Sequence, residues 1–177
     1  FSILSFGNLQ FRKLDSSFLY ETYDVNDSLI SFLVGPENSD FVSLDKISER
    51  LIHAVLTSED GGFMYHRGFN EESFRKALAD NIAHWKFVRG GSTITMQLVK
   101  NLYLTKNKVI ARKVQEALIV WLMENYRVCS KNRMLEIYLN IIEWGPGIYG
   151  VRQASRYYFN KEPSELTLQE SIFMAAI

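Results

Sequence analysis

The rhythm of hydrophobic and polar positions changes once along this chain, near Leu44. Before that point, FSILSFGNLQF and SSFLYETYDVNDSLISFLVG mix β-branched and aromatic residues with the turn formers Gly7, Asn26, Asp27 and Gly35. That mixture predicts short strands or an extended arm over residues 1–42. From Leu44 onward the period becomes helical. In ISERLIHAVLTSED, Leu51, Ile52, Val55 and Leu56 share one stripe, with Ser48 placed to cap the helix. A second helix is predicted from Glu71 to about His84. Gly90-Gly91 then punctuates the chain, and Ser92 can cap a helix through STITMQLVKNLYL, whose Ile94, Leu98 and Leu102 face the core. RKVQEALIVWLMENY is rich in good helix formers. SKNRMLEIYLNIIEW follows, capped by Ser130 and stopped by Gly145-Pro146-Gly147. VRQASRYYF and LTLQESIFMAAI, the latter with Thr167 as its cap, complete a domain that is mainly α over residues 43–177.

Composition narrows the function classes. Apolar residues make up 47% of the chain and charged residues 23%, the balance of a folded globular domain and not of a disordered one. Lysine plus arginine and aspartate plus glutamate number 20 each, which argues against a nucleic-acid partner. A single cysteine, Cys129, excludes an intrachain disulfide and leaves the redox compartment open. No apolar run approaches the roughly 18–20 residues that span a bilayer, and there is no signal peptide. The chain opens abruptly at Phe1 and stops in FMAAI, in a helical pattern, so it reads as an excised domain.

Three stretches carry candidate chemistry. In EDGGFMYHRG, Glu59 and Asp60 sit where an apolar helix runs into Gly61-Gly62. The negative end of the helix dipole favours the protonated carboxyl there, which suits a general base working near neutral pH. The same stretch also reads as a plain solvated helix end. In GGSTITMQLVKN, Thr93, Gln97 and Lys100 fall on one face with Met96 beside them, at a helix start rich in hydroxyls. Such an arrangement can bind an anion, although a Gly-Gly-Ser helix start is common and this is not a Walker loop. Arg112 and Glu116 stand four residues apart, the spacing of a surface ion pair. His53, His66 and His84 lack the spacing of a zinc site, and no serine or cysteine has a nucleophile's context.

Taken in order, these stretches resemble the peptidoglycan glycosyltransferases, the domain of bifunctional penicillin-binding proteins and monofunctional transglycosylases. The first motif of that family matches Glu59, Asp60, Phe63, His66 and Gly68. The second matches GGSTITMQLVKN, the third RKVQE from Arg112 to Glu116, the fourth KNRMLEIYLNIIEWGPGIYGVRQASRYYF, with Glu136, Tyr138, Leu139, Asn140, Gly145 and Gly150, and the fifth LTLQESIFMAAI. The matches run from about Leu44 to the last residue. One departure stands out: the family usually has two glutamines in the second motif, and here the first is Met96, with Gln97 kept. The EWGPGIYG wording lies closer to the monofunctional enzymes.

The resemblance implies a lysozyme-like α fold with a larger head lobe and a small, mobile, membrane-facing lobe in the stretch after His66 up to Arg89, in which IAHWKFV meets lipid or forms a core helix end. It implies an inverting transferase that polymerises lipid II into β-1,4-linked glycan and releases undecaprenyl diphosphate. Glu59 and Glu116 are then the catalytic carboxylates. Lys100, Arg112, Lys113, Arg89, Ser92, Thr93 and Gln97 hold substrate and pyrophosphate, and Asp60, Phe63 and His66 support Glu59. The only cofactor implied is a divalent cation, magnesium or manganese, for which no dedicated site is visible. The partners implied are lipid II, the growing lipid-linked strand, the membrane surface and other cell-wall synthesis proteins. The place implied is the outer face of the bacterial cytoplasmic membrane, with an N-terminal membrane anchor outside this chain. A lysozyme-like hydrolase and a non-catalytic cell-wall scaffold are the competing readings. The cationic positions weigh against the first, and the intact Glu59 and Glu116 against the second.

Overall fold

The computed structural model describes residues 14–24, 26–69, 91–104 and 110–177, the side chains of 110–112 excepted. Among these residues the protein is mainly helical, with one two-stranded antiparallel sheet. The arm forms a hairpin: β1 (Phe18–Tyr23) pairs with β2 (Leu29–Val34), Phe18 opposite Val34 and Tyr20 opposite Phe32. Asp24 Oδ1 accepts from the backbone N–H groups of Asn26 and Ser28 at 2.7 and 2.8 Å, which closes the turn at the predicted Asn-Asp pair. Period-two alternation gives the hairpin an inner face. Phe18, Tyr20 and Val34 are buried and join the main core, while Leu19, Tyr23 and Leu29 face outward.

Six α-helices are described: α1 (Glu49–Glu59), α2 (Ile94–Tyr103), α3 (Ile110–Asn125), α4 (Lys131–Ile141), α5 (Val151–Phe159) and α6 (Leu168–Ala175). The centre is α4, which buries Met134, Leu135, Ile137, Tyr138, Leu139 and Ile141 and packs against α2, α5 and β2. The stripe expected on α1 is present: Leu51 and Val55 are buried, with Ile52 and Leu56 half-buried against the same core, and the helix lies along α6. Ile94 and Leu98 of α2 are fully enclosed and Leu102 packs beside them.

The helix ends correct several expectations. Ser130 and Thr167 cap α4 and α6 as expected, Thr167 in a reciprocal capping box with Glu170. Ser48 precedes α1 but does not cap it with its side chain; its hydroxyl donates to Leu166 O at 3.2 Å, tying α1 to the segment before α6. The cap of α2 is Thr93, not Ser92. Helix α4 stops at Ile141, before the Gly-Pro-Gly sequence. The indole of Trp144 folds back to donate to Leu139 O at 3.2 Å, satisfying a carbonyl of the last turn, and Gly145–Gly147 instead form the tip of a tight turn bridged from Glu143 to Tyr149. Gly150 opens α5 at φ +81°, and a Cβ there would stand 2.8 Å from Asn140 O, so only glycine fits. The helix expected from Glu71 to His84, and the IAHWKFV stretch, lie outside the described residues, as does most of the expected small lobe.

Candidate functional site

Glu59 is the last residue of α1, exposed at the point where the apolar helix runs out. Its Oε2 accepts from Gln97 Nε2 at 2.6 Å, and Gln97 Oε1 in turn accepts from the hydroxyl of Tyr138 at 3.1 Å. An amide with both ends occupied cannot flip without losing a bond, so the carboxylate is held in one direction. Burial, followed by the negative charge of Glu59, raises the Tyr138 phenol well above the usual tyrosine range, so it stays a donor at any physiological pH. Glu59, Gln97, Tyr138, Asn101 and Glu143 line an open cleft of about 260 Å³, with Trp144 and Met174 among its apolar walls. Met96 points its bulk elsewhere, half-buried against the core. The amide at Gln97 is therefore the one that reaches the carboxylate.

Directly beneath Glu59 lies a set of buried bonds. Asp60 is 4% exposed; its Oδ2 accepts from the backbone N–H of Ile94 at 3.1 Å, joining the end of α1 to the start of α2. The His66 ring bridges the same carboxylate at 2.8 and 2.9 Å through Nε2. Its Nδ1 accepts from the Gly68 N–H at 3.1 Å, which places the ring proton on Nε2, toward Asp60. Thr93 completes the circuit: its hydroxyl donates to Gly68 O at 2.7 Å and accepts from Met96 N–H as the helix cap. Phe63, fully buried, sits edge-on to His66. Asp60, His66 and Phe63 are thus joined to one another directly behind Glu59.

The hydroxyl-rich start of α2 is less open than its sequence suggests. Thr93 is spent on Gly68 and the cap, and Thr95 donates to the buried carboxylate of Glu124 at 2.6 Å. Ser92 is the exposed hydroxyl of that turn, and Lys100 is exposed on the last turn of the same helix. Glu116 is a correction. The i,i+4 spacing predicts a surface pair with Arg112, yet Glu116 is 2% exposed, and its Oε1 accepts from the exposed Lys113 at 3.0 Å. Its Oε2 is buried without a hydrogen-bond partner among the described residues. The reason is periodicity: Glu116, Ile119, Val120, Met123 and Glu124 form the buried stripe of α3, so both glutamates lie on its core face. The side chain of Arg112 and all of Arg89 fall outside the described residues.

The residues therefore gather in two groups, Glu59 with Gln97 and Tyr138, and Glu116 with Lys113; no described hydrogen bond or ion pair links one to the other. Among the described residues no cluster of three histidine, cysteine or acidic side chains is close enough to hold a metal ion. No described helix is long and apolar enough to cross a membrane. Periodicity and motif spacing give Tyr138 a place in the fourth motif but no role at the site, and they give no role to Glu124 or Lys131. For Glu124 the signal was present: a carboxylate at a core position of an apolar stripe demands a partner.

A family model for transglycosylases matches residues 26–177. The chain is 43% identical over 137 residues to the biosynthetic peptidoglycan transglycosylase of Nitrosomonas eutropha, covering 77% of this chain and 55% of that protein. It is 44% identical over 133 residues to the protein of that name from Acinetobacter baylyi, covering 75% and 58%, and 42% identical over 137 residues to that from Paraburkholderia phytofirmans, covering 77% and 56%. The chain thus spans little more than half the length of these curated relatives.

Proposed function

Because this chain belongs to the transglycosylase family, we propose that it is a peptidoglycan glycosyltransferase, joining lipid II units into β-1,4-linked glycan at the outer face of the cytoplasmic membrane. The observation that carries the reading is the exposed Glu59 carboxylate, aimed into the cleft by Gln97 and anchored from below through its neighbour Asp60. Glu59 takes the proton from the acceptor sugar's 4-hydroxyl as that oxygen attacks the anomeric carbon of the donor. The bond from that carbon to the diphosphate breaks with its electron pair leaving on the diphosphate, and the α-linkage inverts to β. A diphosphate is a good leaving group. It needs cations around its developing charge more than it needs the carboxylic acid that a glycosidase places beside its leaving oxygen.

Lys100 and Lys113, both exposed, together with Arg112 and Arg89, are assigned to the diphosphate, with Ser92 and Gln97 near the sugars and the buried Thr93 holding the turn that carries Ser92. Glu116, whose Oε2 has no partner among the described residues, holds Lys113 through Oε1 and orients it toward the leaving group. Among the described residues a divalent cation would find one carboxylate there, Glu116, flanked by the Lys113 ammonium. That donor set by itself does not make a protein metal centre. The growing strand, the membrane surface and other cell-wall synthesis proteins are proposed partners.

The test is purified protein with labelled lipid II in detergent, comparing wild type with Glu59→Gln. Polymer from the wild type, with a loss of at least about 10²-fold in the variant while its fold is kept, is the expected result. Polymer from Glu59→Gln at the wild-type rate removes Glu59 as the base. Soluble fragments from preformed peptidoglycan, without polymer from lipid II, would make the protein a hydrolase.

A further inference from the structure

Behind the loop that carries Phe63, His66 and Gly68 lies a largely buried ion pair that the reaction does not use. Glu124, 8% exposed, accepts from Lys131 Nζ at 2.5 Å and from Thr95 Oγ1 at 2.6 Å through the same Oε1. The Lys131 ammonium stands 4.4 Å from the centre of the Phe63 ring, over its face. Gly68, at φ +83°, lies so close to α3 that a Cβ there would collide with Val120 Cγ1 and meet Glu124 Cγ at 3.0 Å. Glu124 thus bonds to α2 and to the first residue of α4, and its Cγ lies beside the motif loop at Gly68. From that loop the bonds continue without a break: Gly68 N–H to His66, His66 to Asp60, and Asp60 to the Ile94 N–H, one residue along from Glu59.

We infer that Glu124 and Lys131 are positioning residues, a clamp that presses the Phe63–Gly68 loop against α2 and α3 and so fixes where Glu59 points; this rests on the transferase reading of Glu59. A buried ion pair contributes little to stability that apolar side chains of the same volume would not contribute, because desolvation offsets its attraction. What apolar packing cannot supply is a fixed bearing. The short bonds from Lys131 and Thr95 fix the Glu124 side chain, whose Cγ lies beside Gly68, and the same ammonium stands over the ring of Phe63. A general base displaced by an ångström loses most of its effect, so orientation is worth retaining here.

The experiment replaces the pair by neutral side chains of similar size, Glu124→Gln with Lys131→Met, in the full chain. The double variant is expected to fold, to keep its KM for lipid II within about twofold and to lose about 10- to 100-fold in kcat. Lys131→Arg, which keeps the charge, is expected to retain most of kcat. Amide exchange gives a reading independent of turnover: Gly68 and Ile94 should exchange faster in the double variant, while Ile137 and Leu139 in α4 keep their protection. Unchanged protection at Gly68 and Ile94, or unchanged kcat in a folded double variant, overturns the clamp. If the wild type makes no polymer, the transferase reading fails, and the amide measurement alone decides the clamp.

Discussion

At the scale of single residues, the site works by leaving few donors and acceptors idle. Gln97 spends its amide nitrogen on Glu59 and its oxygen on Tyr138, so its orientation depends on the phenol. Tyr138→Phe removes that hydroxyl while keeping the buried ring, and should cost only about 1 kcal/mol of stability. Freed at one end, Gln97 can turn, and kcat for polymerisation should fall about 3- to 10-fold with a smaller change in KM. Steady-state kinetics with lipid II checks this; a variant that matches the wild type would show that Gln97 needs no second anchor. Much of this level was legible in the sequence. Glu59 at a helix end, and Gln97 and Lys100 on one face of the next helix, follow from periodicity alone. Tyr138 did not, because its contact to Gln97 crosses 41 residues of chain and periodicity is blind to that. Ser92 and Thr93 are equally good caps on paper, and a tertiary bond from Thr93 to Gly68 decides between them.

At the scale of elements, α4 is the strut that locates everything else. Asn140, 5% exposed, accepts from Val42 N–H at 2.9 Å and donates to Val42 O and to Glu136 O, both at 2.8 Å. Glu136 accepts from Leu44 N–H at 2.8 Å and pairs with Arg133, whose guanidinium reaches the carbonyls of Leu14 and Ser16. The polar residues of the fourth motif therefore fasten the hairpin and the entry to α1 onto the central helix. Asn140→Ala deletes three buried hydrogen bonds and should destabilise the fold by about 2–3 kcal/mol, read as a lower denaturation midpoint in urea. The amides of β1 and β2 should lose protection before those of α4. Stability within about 0.5 kcal/mol of wild type would contradict this role. The elements were legible from their periods, strands before Leu44 and helices after it. Their ends were less so, since Trp144 and Ile142, and not the glycine and proline that follow, terminate α4.

At the scale of the whole molecule, the helical core has enclosed several weak acids in their neutral form, and this sets how the fold answers to pH. Burial pushes the Cys129 thiol up to about 12 from its ordinary 9.0, with the charge of Asp15 adding to the effect. The phenols of Tyr103 and Tyr138 are raised for the same first reason. For an acid raised by folding, the protonated form is the one the native state accepts. Stability is therefore fully present below the unfolded value, falls once the unfolded chain begins to lose the proton, and continues to fall until the folded value is passed. The protein should hold its stability from pH 7 to about 8.5 and lose it progressively from about pH 9 toward 12. Cys129→Ala should flatten the first part of that descent, because the thiol is the lowest of the three to titrate when exposed. Urea midpoints between pH 7 and pH 11 test the claim, and a midpoint constant across that range would mean that the three groups are less enclosed than the fold implies. The same burial predicts that Cys129 reacts with alkylating reagents at neutral pH only as fast as the core opens, since the reactive thiolate is scarcely populated in the native state.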